Sequence, residues 1–436
     1  MSISPTTAGL IGIILMLVLM FLGVNLSFCF IISGVVGIAL MKGFTLGITF
    51  LKTGPISTAM SYSLAVLPMF MLMGDFAVTG SLTTDAYGAA RRFLGRQPGG
   101  LAVTSTVASA LFGAICGSGQ ATAMVMSQVA WPEMKRYHYS PKIGLCSIAA
   151  AGPLAILIPP STPLINYSIL AGVSVGSLFM AGWIPGILLT LLLSLTTIVM
   201  ALRNPKLAPR ADKSTAKEKL KSLGQAWPIL LLIVLMMYCI WGGITTVNEA
   251  AGLSVVCCLI IVIAKRRANF KQILKTLRDS TVMCAALFFM FIGIQVFNSF
   301  LGMSGLPAKL TKFVTGLNVA PMVVIWLIFI LYLVLGCFID TPVIMMLTIP
   351  LLAPVVKALG FDLTWFGIFS AMTVALGSIT PPVGICLFVI AARVPEVPLS
   401  YLMKHIWPYV AATVVATIII MYFPQLVMWL PNLMMG

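Results

Sequence analysis

Two short stretches concentrate the residues that could do chemistry. One is Gly336–Met346, "GCFIDTPVIMM", in which Asp340 and Thr341 sit inside an otherwise apolar run. The other is Gly117–Thr122, "GSGQAT", which sets Ser118, Gln120 and Thr122 among glycines. A carboxylate, hydroxyls and an amide carbonyl are hard oxygen donors, and oxygen donors suit a hard cation such as Na⁺. An unpaired carboxylate inside a membrane costs roughly 2.5–3.5 kcal/mol on insertion scales, and a bound cation offsets that cost. Asp340 can also be read as the N-cap of the helix that Pro342 opens. No second chemistry competes. The nine cysteines form no metal or redox spacing, with Cys257 and Cys258 adjacent in one apolar run, and neither His138 nor His405 clusters with a carboxylate. No nucleophile–base pair is discernible, so the residues argue against an enzyme.

The elements that hold these stretches must be membrane helices. Of 436 residues, 60% are hydrophobic and 8% charged, against roughly 25% charged in a soluble domain. Several runs reach the ~20 residues that a span needs. The expected fold class is an all-α polytopic membrane protein. Met1–Phe28 has no basic leading region and does not read as a cleaved signal. The net charge of +16 is concentrated in basic stretches between spans, which argues for a lipid bilayer and against nucleic acid. Arg203–Lys221 and Lys265–Arg278 flank two spans and fall on the cytoplasmic side by the positive-inside rule. Arg91, Arg92 and Arg96 join them, against phospholipid, only if residues 100–134 enter the membrane and return. That stretch is too long for one perpendicular span and is cut at its centre by GSGQAT, so it reads as a re-entrant hairpin. Its open tip must face protein or a wet cavity. Downstream, Pro153, Pro159, Pro160 and Pro163 break residues 143–175 into a discontinuous helix, with Ser161 or Thr162 as the cap of its second half.

The pattern then repeats. A second apolar run, 320–356, is interrupted at Asp340, and a second broken helix, 362–395, at "GSITPPVGICLF". Phe70 and Phe291, and Phe76 and Phe297, are 221 apart; Pro159-Pro160 and Pro381-Pro382 are 222 apart. The reading is two inverted repeats, 1–221 and 222–436, with twelve membrane elements, scaffold spans over 8–60 and 225–264, and both termini outside. Breaks at matching positions of inverted halves point to a secondary transporter's site. Carbonyls there suit cations, and helix N-termini suit an anion. Gln120, Thr122, Ser161, Thr162 and Asn166 are the polar residues assigned to substrate. Asp75 reads either as a support of the site or as an interface residue, and the cysteines and the 27 methionines as packing.

The run through Gly113-Ala114 and GSGQAT to "GPLAILIPPSTPLINYSILAGVSVGSLFMAGWIPG", with "LGCFIDTPVIMMLTIPLLAPVV" and "FGIFSAMTVALGSITPPVGICLF", resembles the large membrane subunit of tripartite ATP-independent periplasmic (TRAP) transporters. The resemblance implies an elevator-type scaffold and transport domain in the bacterial inner membrane, importing a small organic anion. It implies a small four-span membrane subunit and a soluble periplasmic substrate-binding protein as partners, for which Trp227, Tyr238 and Trp241 are plausible anchors. It also implies two Na⁺ sites, one at Gly117 and Ser118 with Gly152, Ile156 and Pro159, the other at Asp340 and Thr341 with Gly377 and Thr380. Members commonly read Gly-Ser-Ser where this chain has Gly117-Ser118-Gly119. The alternative is a stand-alone ion-coupled organic-anion carrier of related architecture.

Overall fold

The computed structural model describes residues 4–212, 215–317 and 319–435; Lys213, within the basic stretch Arg203–Lys221, lies outside them. Helix is the only regular structure among the described residues. Among the described residues, eight helical segments are long and apolar enough to cross a membrane, or nine when the pair Leu399–His405 and Trp407–Tyr422, bent by 51°, is taken as one. Shorter apolar helices cover Pro5–Phe21, Leu26–Lys42, Gly100–Cys116 and Leu363–Gly377. Phe44–Ala59 forms a helix of its own, which the continuous apolar run over 8–60 did not separate from its neighbours.

Two groups of helices emerge from the packing. In the first, Pro5–Phe21, Leu26–Lys42, Phe44–Ala59, Val66–Thr79 and Val247–Ala264 pack on or around the 35-residue helix Phe270–Ser304. Small residues allow the close approach that membrane helices need. Gly12 and Gly37 leave the space that the Phe300 ring fills, and a Cβ on Gly293 would lie 2.7 Å from the Ser27 carbonyl oxygen. A polar ladder joins Val66–Thr79 to the long helix, stepping four residues at a time in opposite directions. Thr79 meets Thr276 at 2.8 Å, Asp75 accepts from Ser280, and Met71 faces Cys284 at 3.9 Å. Asp75 is thus an interface residue between these two helices. The second group holds the helices Gly100–Cys116 and Gly119–Val129, the segments from Pro141 to Ala171, and Pro321–Arg393, around Val175–Arg203 and Trp407–Tyr422.

Charged side chains gather at one end of the bundle. Arg91 pairs with Glu133 at 2.7 Å, Arg92 with Glu218 at 3.4 Å, and Lys265 and Arg267 each with Asp85 at 3.3 Å. Arg91 precedes the first hairpin and Glu133 follows it, so the hairpin returns to the face it left. The three basic stretches singled out in the sequence therefore share that face. Lys135 adds a 2.6 Å pair to Glu396. Hydrogen bonds from Lys135 and Trp131 hold the Glu396 carboxyl below the usual carboxylate range. Its contribution to stability is therefore present at neutral pH and fades as acid protonates it. Asp85, only 11% exposed, faces two cations. Asp85→Ala leaves Lys265 with the Gln225 carbonyl alone and Arg267, 42% exposed, to solvent, and is expected to lower stability by roughly 1 kcal/mol. Thermal unfolding in detergent checks this, with Asp212→Ala as an exposed comparison.

Candidate functional site

The first hairpin turns on two residues. Gly100–Cys116 ends at Gly117, whose φ of 63° is left-handed and favours glycine. Ser118 follows in an extended conformation and caps Gly119–Val129, its Oγ accepting from the Ala121 amide at 3.4 Å. The tip lies directly on the first helix break. A Cβ on Gly117 would fall 3.0 Å from the Pro160 carbonyl oxygen, and one on Gly152 2.8 Å from the Gly119 oxygen. Only a chain without side chains at these points lets the two backbones meet.

The break itself runs from Gly152 through the short helix Leu154–Leu157 to Ser161, with Ile158 and Ser161 extended. Ser161 caps Thr162–Ala171 by accepting from Leu164 at 3.4 Å while donating to the Ile156 carbonyl. Its hydroxyl holds the break closed.

The second hairpin repeats this logic with a charge added. Pro321–Phe338 gives way to extended Ile339, and Asp340 caps Thr341–Ala358. The Asp340 carboxylate accepts from the Thr341 amide at 2.8 Å, one residue short of the usual cap partners. None of the ion pairs among the described residues involves it, and its side chain is exposed. This tip also meets its break. A Cβ on Gly336 would lie 2.7 Å from the Val374 oxygen. Ser378 and Thr380 each donate to a carbonyl one turn back, Ala375 and Leu376, at 2.7 Å. Those bonds use the hydroxyl protons and leave oxygen lone pairs for a cation.

One cavity of about 250 Å³ joins all four elements. Gly117, Ser118 and Gln120 enter it from the first tip, Ile156 and Thr162 from the first break, Asp340 and Thr341 from the second tip, and Ser378 from the second break. Of the remaining residues assigned from the sequence to the ions or the substrate, none lines it. Gly152 and Gly377 are the contact points of the two tip–break seams, and Pro159 and Thr380 are buried within the breaks. Thr122, Ser161 and Asn166 are wholly buried in the packing, and both amide atoms of Asn166 lack a partner. The opposite wall, Met71, Met283 and Leu287, with Cys386 beside the second break, was not anticipated, because methionine and cysteine read equally well as core. Of the aromatic residues considered as partner anchors, Trp227 and Tyr238 are exposed, whereas Trp241 packs edge-on against Trp183 at 5.9 Å.

Three helices of ten residues or more, Gly119–Val129, Thr162–Ala171 and Thr341–Ala358, start at the cavity. Their N-termini supply amide donors and partial positive charge suited to an anion. Asp340, Ser118, Thr341 and Ser378 supply oxygens suited to a hard cation. No group of three or more His, Cys, Asp or Glu that could hold a transition metal occurs among the described residues.

The whole arrangement has the fold of a multi-pass membrane transporter. It superposes on the YdaH transporter of Alcanivorax borkumensis with a TM-score of 0.68 over 87% of this chain and 89% of that one, at 16% identity. The chain belongs to the TRAP transporter large-permease family, since residues 13–426 match the description "Tripartite ATP-independent periplasmic transporter, DctM component". It is 31% identical to the C4-dicarboxylate TRAP transporter large permease DctM of Pseudomonas aeruginosa over 86% of this chain and 87% of the relative. It is 28% identical to the sialic acid large permease SiaM of Vibrio cholerae over 96% and 97%.

Proposed function

We propose that this permease imports a small organic anion driven by Na⁺, binding both in the cavity between the hairpin tips. The observation that carries the reading is the meeting of two tips and two helix breaks around Asp340, with no protein cation to balance it. A cation neutralises the carboxylate, and two bound cations make the cavity attractive to an anion that no lysine or arginine lines it to receive. The first ion takes Gly117, Ser118 and Ile156 beside the Gly152–Pro159 break. The second takes Asp340 and Thr341 beside the Gly377–Thr380 break. Gln120 and Thr162 face the substrate.

The two halves, 1–221 and 222–436, act as inverted repeats. The hairpins and broken helices slide as a unit past the scaffold built around Phe270–Ser304, carrying the cavity from one face of the inner membrane to the other, with both termini outside. The relatives named for C4-dicarboxylate and sialic acid support an organic acid as cargo. A periplasmic binding protein delivers it, and a small four-span subunit steadies the scaffold.

Uptake into proteoliposomes tests this directly. Accumulation is expected only with an inward Na⁺ gradient, the small subunit and the binding protein together. Full uptake by the purified chain alone would identify a stand-alone carrier instead, and uptake indifferent to Na⁺ would remove the coupling.

A further inference from the structure

A second cavity of about 250 Å³ lies further along the same two helices that line the first. Phe270–Ser304 contributes Met283 and Leu287 to the first cavity and Phe291, Ile294, Gln295 and Asn298 to the second. Thr162–Ala171 contributes Thr162 and Pro163 to the first, Ile169 and Leu170 to the second. Seven or eight residues of helix separate the two levels, about 11–12 Å at 1.5 Å per residue. The second level lies toward the outside, because Phe270–Ser304 starts at the basic face that carries Lys265 and Arg267.

The long helix and its neighbours present different chemistry at the two levels. At the level of the hairpin tips they offer Met71, Met283 and Leu287. At the outer level they offer Ser57, Thr58, Ser61, Gln295 and Asn298. Gln295 is exposed, and the Asn298 side-chain oxygen is buried without a partner. Polar surface at membrane depth is costly unless it serves a path or a bound group.

We propose that Ser57, Ser61, Gln295 and Asn298 form the wall that the substrate meets when the transport unit stands outward. This inference rests on the sliding motion proposed above. Displaced by about two helical turns, the cavity exchanges its methionine and leucine wall for hydroxyls and amides. These groups hydrogen-bond a carboxylate or a sugar-like hydroxyl without neutralising charge, which the bound cations already do. The exchange makes binding tighter outside, where cargo is captured, and looser inside, where it is released. Gln295 and Asn298 are thereby specificity-determining residues for the outward state.

Two measurements on the reconstituted transporter with its partners separate the possibilities. Gln295→Leu and Asn298→Leu together should raise the KM for uptake at least tenfold and leave the KM for efflux from the inside unchanged. Gln295→Asn should recover part of the loss, and size-exclusion behaviour should match the parent chain. An unchanged uptake KM, or an equal rise in both directions, overturns the wall. The second measurement is cross-linking of the native Cys116 to Ser61→Cys with a short bismaleimide, all other cysteines replaced. Cys116 now lies beside Gly74, whose Cβ would fall 3.1 Å from its Cα, and Ser61 lies at the outer level. Cross-linking under outward-facing conditions supports the motion. Its absence in an actively transporting protein sinks the motion and the wall together, whereas cross-linking with an unchanged uptake KM sinks the wall alone.

Discussion

Asp340→Asn should raise the Na⁺ concentration for half-maximal uptake by roughly one to two orders of magnitude, while the protein stays folded. The carboxylate accepts one hydrogen bond, from the Thr341 amide at 2.8 Å, and no ion pair holds it. Its remaining oxygen capacity and its whole charge are available to a cation. An amide keeps the size and one carbonyl oxygen, so the start of Thr341–Ala358 remains capped. What is lost is the charge-assisted share of ion binding, of the order of 1.5–3 kcal/mol, which is the stated change in affinity. Asp340→Ala also removes the cap, at about 1 kcal/mol, and should fall further. Ser118→Ala should shift the Na⁺ dependence less, since that tip presents backbone at Gly117 and no charge. Uptake measured against Na⁺ for the three variants decides it. An unchanged curve for a well-folded Asp340→Asn reduces Asp340 to a helix cap.

The points where the chain opens were legible in the sequence because opening a membrane helix needs unusual residues. Glycine at Gly117 and the prolines at Pro159-Pro160 and Pro381-Pro382 interrupt apolar runs that otherwise have no reason to stop. Asp340 was legible because charge in such a run is expensive. The basic loops told which stretches share a face, and the Arg91–Glu133 and Asp85 pairs agree. The cavity's apolar wall was not legible. Met71, Met283, Leu287 and Cys386 would have the same hydrophobicity facing lipid, core or cargo. Burial sorted the polar residues in a way that spacing alone did not. Ser161 spends its hydroxyl on Ile156, and Thr122 and Asn166 are enclosed, whereas Gln120 and Thr162 reach the cavity. Phe44–Ala59 merged with its neighbours for the same reason: Gly43, which separates it from Leu26–Lys42, is one glycine among 37.

Gly377→Ala should cut uptake by at least tenfold even at saturating Na⁺, though it adds a single methyl group and removes no oxygen. A Cβ on Gly377 would lie 2.7 Å from the Gly336 carbonyl carbon and 2.9 Å from the Leu333 carbonyl oxygen. Both neighbours are backbone of the facing hairpin arm, so no side chain can rotate to make room. The arm must move bodily by several tenths of an ångström, and overpacking of this kind typically costs 1–3 kcal/mol. Gly336 stands four residues before Asp340 and Gly377 directly before Ser378, so the shift reaches both sides of the cavity. Displacing positioned groups by even about 1 Å is enough for a hundredfold loss in systems that depend on orientation. Gly302→Ala is the matched comparison. It is also helical, in the last turn of Phe270–Ser304, nothing lies within 4 Å of its added Cβ, and alanine is the better helix former of the two. It should transport like the parent chain and unfold at the same or a higher temperature. Parent-like uptake by Gly377→Ala would mean that the second tip and its break are held less closely than the glycine seam implies, and that the ion site at Asp340 does not depend on their contact.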